Sequence, residues 1–313
     1  MTAGRDDGAA PEGLARRLWS MPLLMFLVPP VAWSGNILLA RALNDVLPPV
    51  GLAFWRWLLA LAVLLPFAAR GLRRHRRLLL TRWRTVLACG AFGIAGYNAL
   101  AYFALQTVPA VNMTVINSAI PVLIPLFALV IAGERPSGAQ IAGILVSMIG
   151  VLWIIGRGDP ASLIGLEIGT GDLWVLASIV NWAIYTVILR YRPAEVDTLT
   201  FLVSCIMAGI FVLAPFWLWE VASGRTMALT PQTLGSVVYV ALFASIASFL
   251  CWSRSVALIG ATRTGMAIHL IPIIVGTLGF VLLGEPVRGF HLIGAGFIAA
   301  GLYVTMRGGT ARP

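Results

Sequence analysis

The sequence predicts an all-α integral membrane protein with ten transmembrane helices, arranged as two inverted five-helix repeats around a central cavity. Three observations lead to this prediction. Hydrophobic residues make up 59% of the 313-residue chain and charged residues only 11%, and a soluble domain of this length could not bury so much apolar surface. The apolar residues fall into ten runs. The second half of the chain also repeats the first at a nearly constant spacing.

Each apolar run is close to the length of about 20 residues that crosses a bilayer as a helix. The predicted spans are 21–41, 50–69, 85–105, 109–132, 138–156, 172–189, 197–219, 232–252, 263–283 and 289–306. Little chain is left for a soluble catalytic domain. A membrane-embedded enzyme would need clustered His, Asp or Glu, and the three histidines are scattered. We therefore predict no catalytic residue, no cofactor and no metal site.

The repeat is clearest in two stretches, VIAGERPSGAQIAGILVSMIGVLW from Val130 and VLLGEPVRGFHLIGAGFIAAGLY from Val281. The residue pairs that match at an offset of 151 are Gly133/Gly284, Glu134/Glu285, Gly143/Gly294, Gly150/Gly301, Ala110/Ala261, Ile120/Ile271 and Pro121/Pro272. Near the start of each half the offset is 149, and the matched pairs are Trp33/Trp182, Arg41/Arg190 and Pro66/Pro215. Spans 1–5 therefore correspond to spans 6–10.

Five spans per repeat is an odd number, so the second copy enters the membrane from the opposite side. The copies are then related by a pseudo-two-fold axis in the membrane plane, and such a repeat predicts transport by alternating access. The predicted organisation is a cytoplasmic N-terminal tail (1–19), a first repeat (20–156), an external linker (157–171), a second repeat (172–306) and a cytoplasmic C-terminal tail (307–313).

The arginines predict the orientation of the chain. All 22 basic residues are arginine, and most lie between the apolar runs. With the N-terminus inside, 17 arginines lie on the cytoplasmic side and four on the outer side, which is the bias of the positive-inside rule. We therefore expect a multi-pass protein of the bacterial inner (plasma) membrane with both termini cytoplasmic. The net charge is +10, but the arginines that produce it lie mostly in short loops between apolar runs and not on one nucleic-acid-binding surface. We therefore expect the lipid bilayer and no nucleic acid as a partner.

Several motifs carry a family resemblance: WSGNILLAR in span 1, FWRWLLA in span 2, YFALQTVPA at the start of span 4, IPVLIP within it, and the doubled Gly-Glu turns. On these motifs the chain resembles the drug/metabolite transporter superfamily, specifically its ten-helix EamA-type exporters, over residues 20–306. The chain as a whole is similar to bacterial amino-acid and metabolite exporters, and among them to the aromatic amino-acid exporter branch. The resemblance implies a basket of helices around a central cavity, with the fifth helix of each half peripheral.

Arg56 is the leading candidate for substrate binding. It lies about 10 Å along span 2 at about 1.5 Å per residue, and a charge at that depth should face protein or a cavity. It could bind a substrate carboxylate there. Its repeat partner is Cys205, so the symmetry is broken at this position. The alternative is a structural arginine that bonds helix-end carbonyls or its neighbours Trp55 and Trp57.

Aromatic, amide and imidazole side chains complete the candidate site. The deep aromatic residues, on spans that the resemblance places around the cavity, are Trp33, Tyr97, Tyr102, Trp182, Tyr185 and Trp252. They predict a cavity suited to apolar or aromatic side chains, although lipid-facing rings would give the same pattern. Asn98 and Asn117 are candidates for substrate contact or for hydrogen bonds between helices. His269 is a candidate proton relay, with a packing role favoured because no carboxylate is near in sequence. The symmetric pair Pro121/Pro272 predicts a pair of hinges, with static kinks as the alternative.

The leading functional hypothesis is a secondary transporter, expected to be monomeric, that exports small metabolites, amino acids first. The alternatives are a multidrug or nucleotide-sugar carrier and, less favoured, a membrane enzyme or sensor. A proton-coupled exporter of cations would need a deep carboxylate, and no Asp or Glu lies deep in a span. A nucleotide-sugar carrier would need several cations in the cavity, and only Arg56 qualifies. We therefore expect transport driven by the substrate itself, as efflux or exchange.

Overall fold

The computed structural model describes residues 18–42, 46–108, 110–164, 169–283 and 288–308, and within these ranges the chain is helical without strands. The helices are α1 (Pro22–Ala42), α2 (Pro49–Thr81), α3 (Trp83–Ala104), α4 (Ala110–Asn117 and Ile120–Ala132), α5 (Gly138–Ile155), α6 (Thr170–Tyr191), α7 (Thr198–Ala222), α8 (Pro231–Ile259), α9 (Ala261–Gly265, Met266–Leu270 and Ile271–Leu283) and α10 (Gly289–Arg307). A single turn, Ala161–Ile164, lies between α5 and α6. The all-helical fold class is confirmed.

Nine helices in the described ranges are long and apolar enough to cross a membrane, and α1 contributes the shorter apolar run Pro22–Ile37. Several predicted features lie outside the described residues: 1–17 and 309–313 of the tails, 165–168 of the linker, and the second Gly-Glu turn at 284–287. We call the side of the bundle that carries residues 46–48, between α1 and α2, the α1–α2 face. The opposite side, which carries Arg82, is the α2–α3 face.

Helix α2 is longer than its sequence predicted. The predicted end at residue 69 is wrong, because one 33-residue helix continues to Thr81 through the arginine cluster. Its length is about 50 Å at 1.5 Å per residue, against about 30 Å for the bilayer core. Arginine and leucine are good helix formers, and Gly71 lets α7 approach, since a Cβ there would collide with Thr200. Exposed arginines therefore lie on a helical extension rather than in a loop.

The first turn of α2 is capped from another helix. Pro48 at its N-cap makes no side-chain cap, and the carboxylate of Glu220 on α7 accepts hydrogen bonds from the N–H of Val50 (3.2 Å) and Gly51 (2.6 Å). By contrast, α7 begins with its own N-cap, Asp197, which accepts from the N–H of Thr200 at 2.9 Å. A carboxylate satisfies free N–H groups and the helix dipole at both starts.

The same departures from α-helical geometry occur in both repeats. The third helix of each repeat contains a π-helical stretch, Gly90–Gly96 in α3 and Val240–Ala247 in α8. The fourth helix of each is irregular just before its proline: α4 breaks before Ile120, and α9 is 3-10 helical before Ile271. The duplication read from the sequence is therefore also a duplication of local backbone geometry.

Contacts between the fifth helices show that the repeats are inverted. A Cβ on Gly143 would lie 2.5 Å from the carbonyl oxygen of Gly301, and one on Gly150 would lie 2.5 Å from that of Gly294. Gly294 and Gly301 are the repeat partners of Gly143 and Gly150, so a single two-fold rotation exchanges the two contacts. The helices α5 and α10 thus pack antiparallel, with small residues that let the backbones approach closely.

Two further pairs of repeat partners touch each other. The rings of Trp33 and Trp182 meet edge-to-face, with centroids 5.1 Å apart. Nε2 of His269 lies 3.0 Å from the backbone carbonyl of Ser118, and these residues are 151 positions apart. A residue that contacts its own symmetry partner must lie close to the pseudo-two-fold axis. The centre of the bundle is therefore at these contacts, and the candidate site lies beside them.

Candidate functional site

Arg56 lies seven residues into α2 and is 1% exposed. Its Nη1 donates to the hydroxyl of Tyr102 at 2.5 Å and to Oδ1 of Asn98 at 2.9 Å. Its Nε donates to Oγ of Ser245 at 2.8 Å, and its Nη2 donates to the carbonyl of Ala244 at 3.1 Å. The guanidinium thus joins α2 to α3 in the first repeat and to α8 in the second.

No carboxylate among the described residues pairs with Arg56, since all four of its acceptors are neutral. Taking an arginine out of water is costly unless an anion and further hydrogen bonds compensate the charge. Four of its five N–H donors are satisfied, which leaves one N–H of Nη2 free. The site is therefore a buried cation that an incoming anion would stabilise.

The π-helical stretches hold the partners of Arg56 in place. The amide of Asn98 donates to the carbonyls of Gly93 and Ile94 at 2.9 Å each, and Ser245 donates to the carbonyl of Val240 at 3.0 Å. These carbonyls belong to the π-helical turns of α3 and α8, where the ordinary α-helical ladder is interrupted. Two equivalent backbone irregularities thus present acceptors to one arginine.

A cavity of about 40 Å³ lies next to this network, toward the α1–α2 face. It is lined by Trp33, Asn36, Ile37, Arg56, Tyr97, Asn98, Ala101, Tyr102, Leu105, Met113, Asn117, Ile120, Ile268 and Ile271. That volume holds about one water molecule, whose share of the liquid is roughly 30 Å³. Small-molecule sites usually occupy about 300 Å³ or more, so the helices must part before a metabolite can enter.

The structure brings together six of the ten predicted substrate-binding residues at this cavity: Trp33, Arg56, Tyr97, Asn98, Tyr102 and Asn117. Trp182, Tyr185, Trp252 and His269 do not line it. Asn36 joins α1 to α3, because its Oδ1 accepts from the hydroxyl of Tyr102 at 3.0 Å. It also lines the cavity.

A buried aromatic cluster fills the space between the cavity and the α2–α3 face. Its members are Trp33, Trp57, Tyr97, Trp182, Tyr185, Phe249 and Trp252. Trp182 stands at its centre, with ring centroids 4.7 Å from Tyr97 and 5.1 Å from Trp252. Phe249 could not be selected from the sequence, because a single apolar ring in an apolar span has no distinguishing signal. The rings therefore form a packed apolar layer on this side of the cavity.

His269 joins three helices near the axis. The carbonyl of Ser118 can only accept, so Nε2 of His269 carries the proton and donates to it, and Nδ1 accepts from the hydroxyl of Ser147 at 2.7 Å. The break in α4 leaves that carbonyl without its usual helical donor, and His269 supplies one. Both ring nitrogens are satisfied in the neutral form, which favours the packing role over the proton relay.

The predicted hinge residues lie beside the breaks of α4 and α9. Pro121 is the second residue of Ile120–Ala132 and Pro272 is the second residue of Ile271–Leu283. Because proline has no N–H, each weakens the helical connection to the segment before it. Whether these prolines act as hinges stays a prediction.

Two contacts join the repeats at the α2–α3 face. Glu134, after α4, forms an ion pair with Arg190 at the end of α6, and the hydroxyl of Tyr191 donates to the carbonyl of Ile131 at 3.1 Å. Glu134 does not cap α5, because Ser137 and Gln140 form the capping box there.

A bundle of membrane-length helices, built as two inverted repeats with a buried cation and a small cavity between them, defines a multi-pass membrane transporter. The model of the EamA-like transporter family matches residues 20–156 and again residues 169–307. The chain belongs to that family.

Named relatives agree with this assignment, and a solved structure shares the fold. The chain is 28% identical to "Uncharacterized transporter YyaM" of Bacillus subtilis over 84% of this chain and 86% of the relative. It is 29% identical to a "Probable terminal-alkyne amino-acid exporter" of Streptantibioticus cattleyicolor over 94% of both chains. It is 27% identical to a "Probable amino-acid metabolite efflux pump" of Salmonella typhimurium over 89% and 92%. One crystal structure matches the fold with a TM-score of 0.71 at 22% identity, covering 90% of this chain and 95% of the other.

Proposed function

We propose that this protein is a secondary transporter that exports small metabolites bearing a carboxylate, amino acids first, and that the carboxylate binds at Arg56. The observation that carries the proposal is a cation 1% exposed, on the wall of a cavity, with four neutral acceptors. The names of two relatives support the same substrate class. A carboxylate would accept the free N–H of Nη2, and hydrogen bonds between a charged donor and a charged acceptor are roughly twice as strong as neutral ones.

The proposed cycle uses the inverted repeat. In this structure the aromatic cluster and the Glu134–Arg190 pair close the α2–α3 face, while the cavity lies toward the α1–α2 face. Exchanging the conformations of the two repeats would open the closed face and close the other. The breaks before Pro121 and Pro272 are the places where α4 and α9 would bend.

We further propose that the protein is a monomer in the bacterial inner membrane, with both termini cytoplasmic and no nucleic-acid partner. The arginine bias supports the orientation, since the clusters at 70–84 and 190–192 both belong to the α2–α3 face. Reporter fusions after Arg135 and after Arg288 should then report the cytoplasm and the outside, respectively. The same side for both fusions would refute the inverted topology.

The test of the proposed activity is counterflow of labelled amino acids in proteoliposomes, with and without a pH gradient. We expect counterflow without any ion gradient, because no described carboxylate lines the cavity. Arg56→Gln should reduce it at least tenfold, since bonds to a charged group are worth about 1.5–3 kcal/mol, while the variant still elutes as folded protein. Equal counterflow by Arg56→Gln, or accumulation driven by the pH gradient and lost in His269→Ala, would refute the proposal.

A further inference from the structure

Asn117 presents an unpaired acceptor to the cavity. It is 8% exposed, lines the cavity, and its Oδ1 is buried without a hydrogen-bond partner. Nearly all buried polar atoms in native proteins have a partner, so each exception calls for an explanation. A donor that is not part of the chain would supply the missing partner.

The surroundings of this oxygen favour a cationic donor. Asn117 is the last residue of the eight-residue segment Ala110–Asn117, and the C-terminal end of a helix carries partial negative charge. Asn36, on α1, lines the same cavity. Its Oδ1 accepts one hydrogen bond from Tyr102 and keeps a second lone pair. Asn36 and Asn117 thus bring amide oxygens to a cavity that Arg56, Tyr97, Asn98 and Tyr102 also line.

We propose that the amide oxygen of Asn117, with that of Asn36, binds the α-ammonium group of an amino acid whose carboxylate binds at Arg56. This inference rests on the proposed function and narrows its substrate class to zwitterionic α-amino acids. An ammonium group has three donors and no acceptor. The two lone pairs of Asn117 Oδ1 and the remaining lone pair of Asn36 Oδ1 together offer three acceptor sites. Neutral acceptors suffice because the zwitterion brings no net charge into the site.

The site should bind an amino acid more tightly than an analogue that has only the amine or only the carboxylate. A simple amine would meet the positive charge of Arg56 without a carboxylate to offset it. A simple carboxylate would bind Arg56 and leave Oδ1 of Asn117 unpaired, and sites that leave a buried polar group unpaired reject such analogues strongly. Both analogues should therefore bind more weakly than the amino acid.

The experiment uses the full-length protein in proteoliposomes and three matched probes. A panel of the twenty amino acids first identifies the one with the fastest counterflow, for example L-phenylalanine. Its des-amino acid (3-phenylpropionate) and its decarboxylated amine (2-phenylethylamine) are then tested as competitors of its transport. Binding of the same probes to detergent-purified protein is measured by calorimetry, so the readout does not depend on transport alone.

We expect Asn117→Leu to raise KM and Kd for the amino acid about tenfold, the ratio that one lost hydrogen bond typically produces. Inhibition by the des-amino acid should not weaken, because that probe never used the amide oxygen and leucine removes the acceptor that the probe leaves unpaired. Asn117→Asp should instead make the amine a better competitor, because a carboxylate offsets part of the charge of Arg56. The matched control is Asn181→Leu, an amide that bonds the carbonyl of Ala177 on its own helix and does not line the cavity.

The outcomes separate this inference from the proposed function. If Asn117→Leu changes the amino acid and the des-amino acid equally, or changes neither, the ammonium subsite is wrong while amino-acid transport stands. If wild type shows no counterflow or binding with any amino acid, the proposed function fails and the subsite fails with it. If Asn117→Leu does not fold, the competition by Asn117→Asp decides, and an unchanged affinity for the amine overturns the subsite.

Discussion

Arg56 and Cys205 occupy the same position in the two repeats, and their surroundings differ completely. Arg56 on α2 extends to the π-helical stretch of α8 and bonds Ser245 and Ala244. Cys205 on α7 is 1% exposed beside the π-helical stretch of α3. There the backbones meet: a Cβ on Gly90 would lie 2.7 Å from the carbonyl oxygen of Cys205. The first repeat thus has a cation beside a cavity at this position, whereas the second repeat has close backbone packing there.

The difference separates the two roles of the repeats. Backbone geometry is duplicated, since breaks and π-helical stretches recur in both halves, and this duplication is what alternating access requires. Side-chain chemistry is not duplicated, because a transporter needs one binding site that both faces reach in turn. Two equivalent cationic sites would hold substrate in two places and would add a second buried charge.

We expect that an arginine cannot be accommodated at position 205. Cys205→Arg places a guanidinium where close backbone packing leaves no room and no set of acceptors, so we expect destabilisation by about 3–5 kcal/mol, as for an uncompensated buried charge. Thermal unfolding in detergent measures the effect. Cys205→Ala is the control and should cost about 1 kcal/mol. A stable, active Cys205→Arg protein would show that the asymmetry has no structural basis.

Tyr102→Phe tests the Arg56 side of the comparison. The hydroxyl of Tyr102 accepts from Nη1 of Arg56 and donates to Asn36, so its removal leaves a buried N–H without an acceptor. We expect a loss of about 1–3 kcal/mol in the free energy of unfolding. Tyr303→Phe, on the exposed surface of α10, is the control and should stay within about 0.5 kcal/mol. Equal effects of the two substitutions would argue against a network centred on Arg56.

Glu220→Gln tests how the two equivalent helix starts are capped. The substitution keeps one acceptor but removes the charge that serves two N–H groups at the start of α2. We expect a cost of about 1 kcal/mol, typical of a lost cap, and a smaller effect on transport than that of Tyr102→Phe. The measurement is thermal unfolding together with counterflow. No change in melting temperature would mean that Pro48 and Pro49 alone fix this helix start.

Asp197, the cap of α7, should give the smallest effect and a dependence on pH. Burial raises the pKa of its carboxyl, but hydrogen bonds from the hydroxyl and the N–H of Thr200 outweigh burial, so the pKa is lowered overall. A carboxylate with a lowered pKa stabilises the fold above the pKa of the unfolded chain, near about 3.9. That stabilisation is lost as the pH falls through the folded-state value.

Asp197→Asn keeps the cap without the charge, since asparagine caps about as well as aspartate. We expect a change of only about 0.5 kcal/mol at neutral pH and a flatter fall in melting temperature below about pH 4. Glu195→Gln, two residues earlier, is the control for loss of a negative charge. A profile for Asp197→Asn identical to that of wild type would contradict the role of the carboxylate.

Local patterns in the sequence predicted the helices and their duplication well. Long apolar runs and a gap-free offset need no tertiary information, and the depth of Arg56 follows from its position in one run. The partners of Arg56 could not be predicted, because Ser245 and Ala244 reach it only through the packing of α8 on α2. The π-helical stretch of α8, VALFASIA, contains no glycine or proline that would mark it. The extension of α2 to Thr81 could not be predicted from the charges, because an arginine cluster is compatible with a loop and with a helix.

The contact of His269 with Ser118 on the pseudo-two-fold axis has a consequence for the balance between the end states of transport. If the two repeats exchange conformations, His269 and Ser118 exchange places and their contact can remain. The Glu134–Arg190 pair instead lies away from the axis, so its surroundings change. A substitution on the axis changes the free energies of both end states by similar amounts, so the ratio of their populations stays nearly constant. A substitution at Glu134 or Arg190 acts on one end state and shifts the populations. In the proposed cycle we therefore expect the preferred direction of opening to be set at the rims of the bundle and not at its centre.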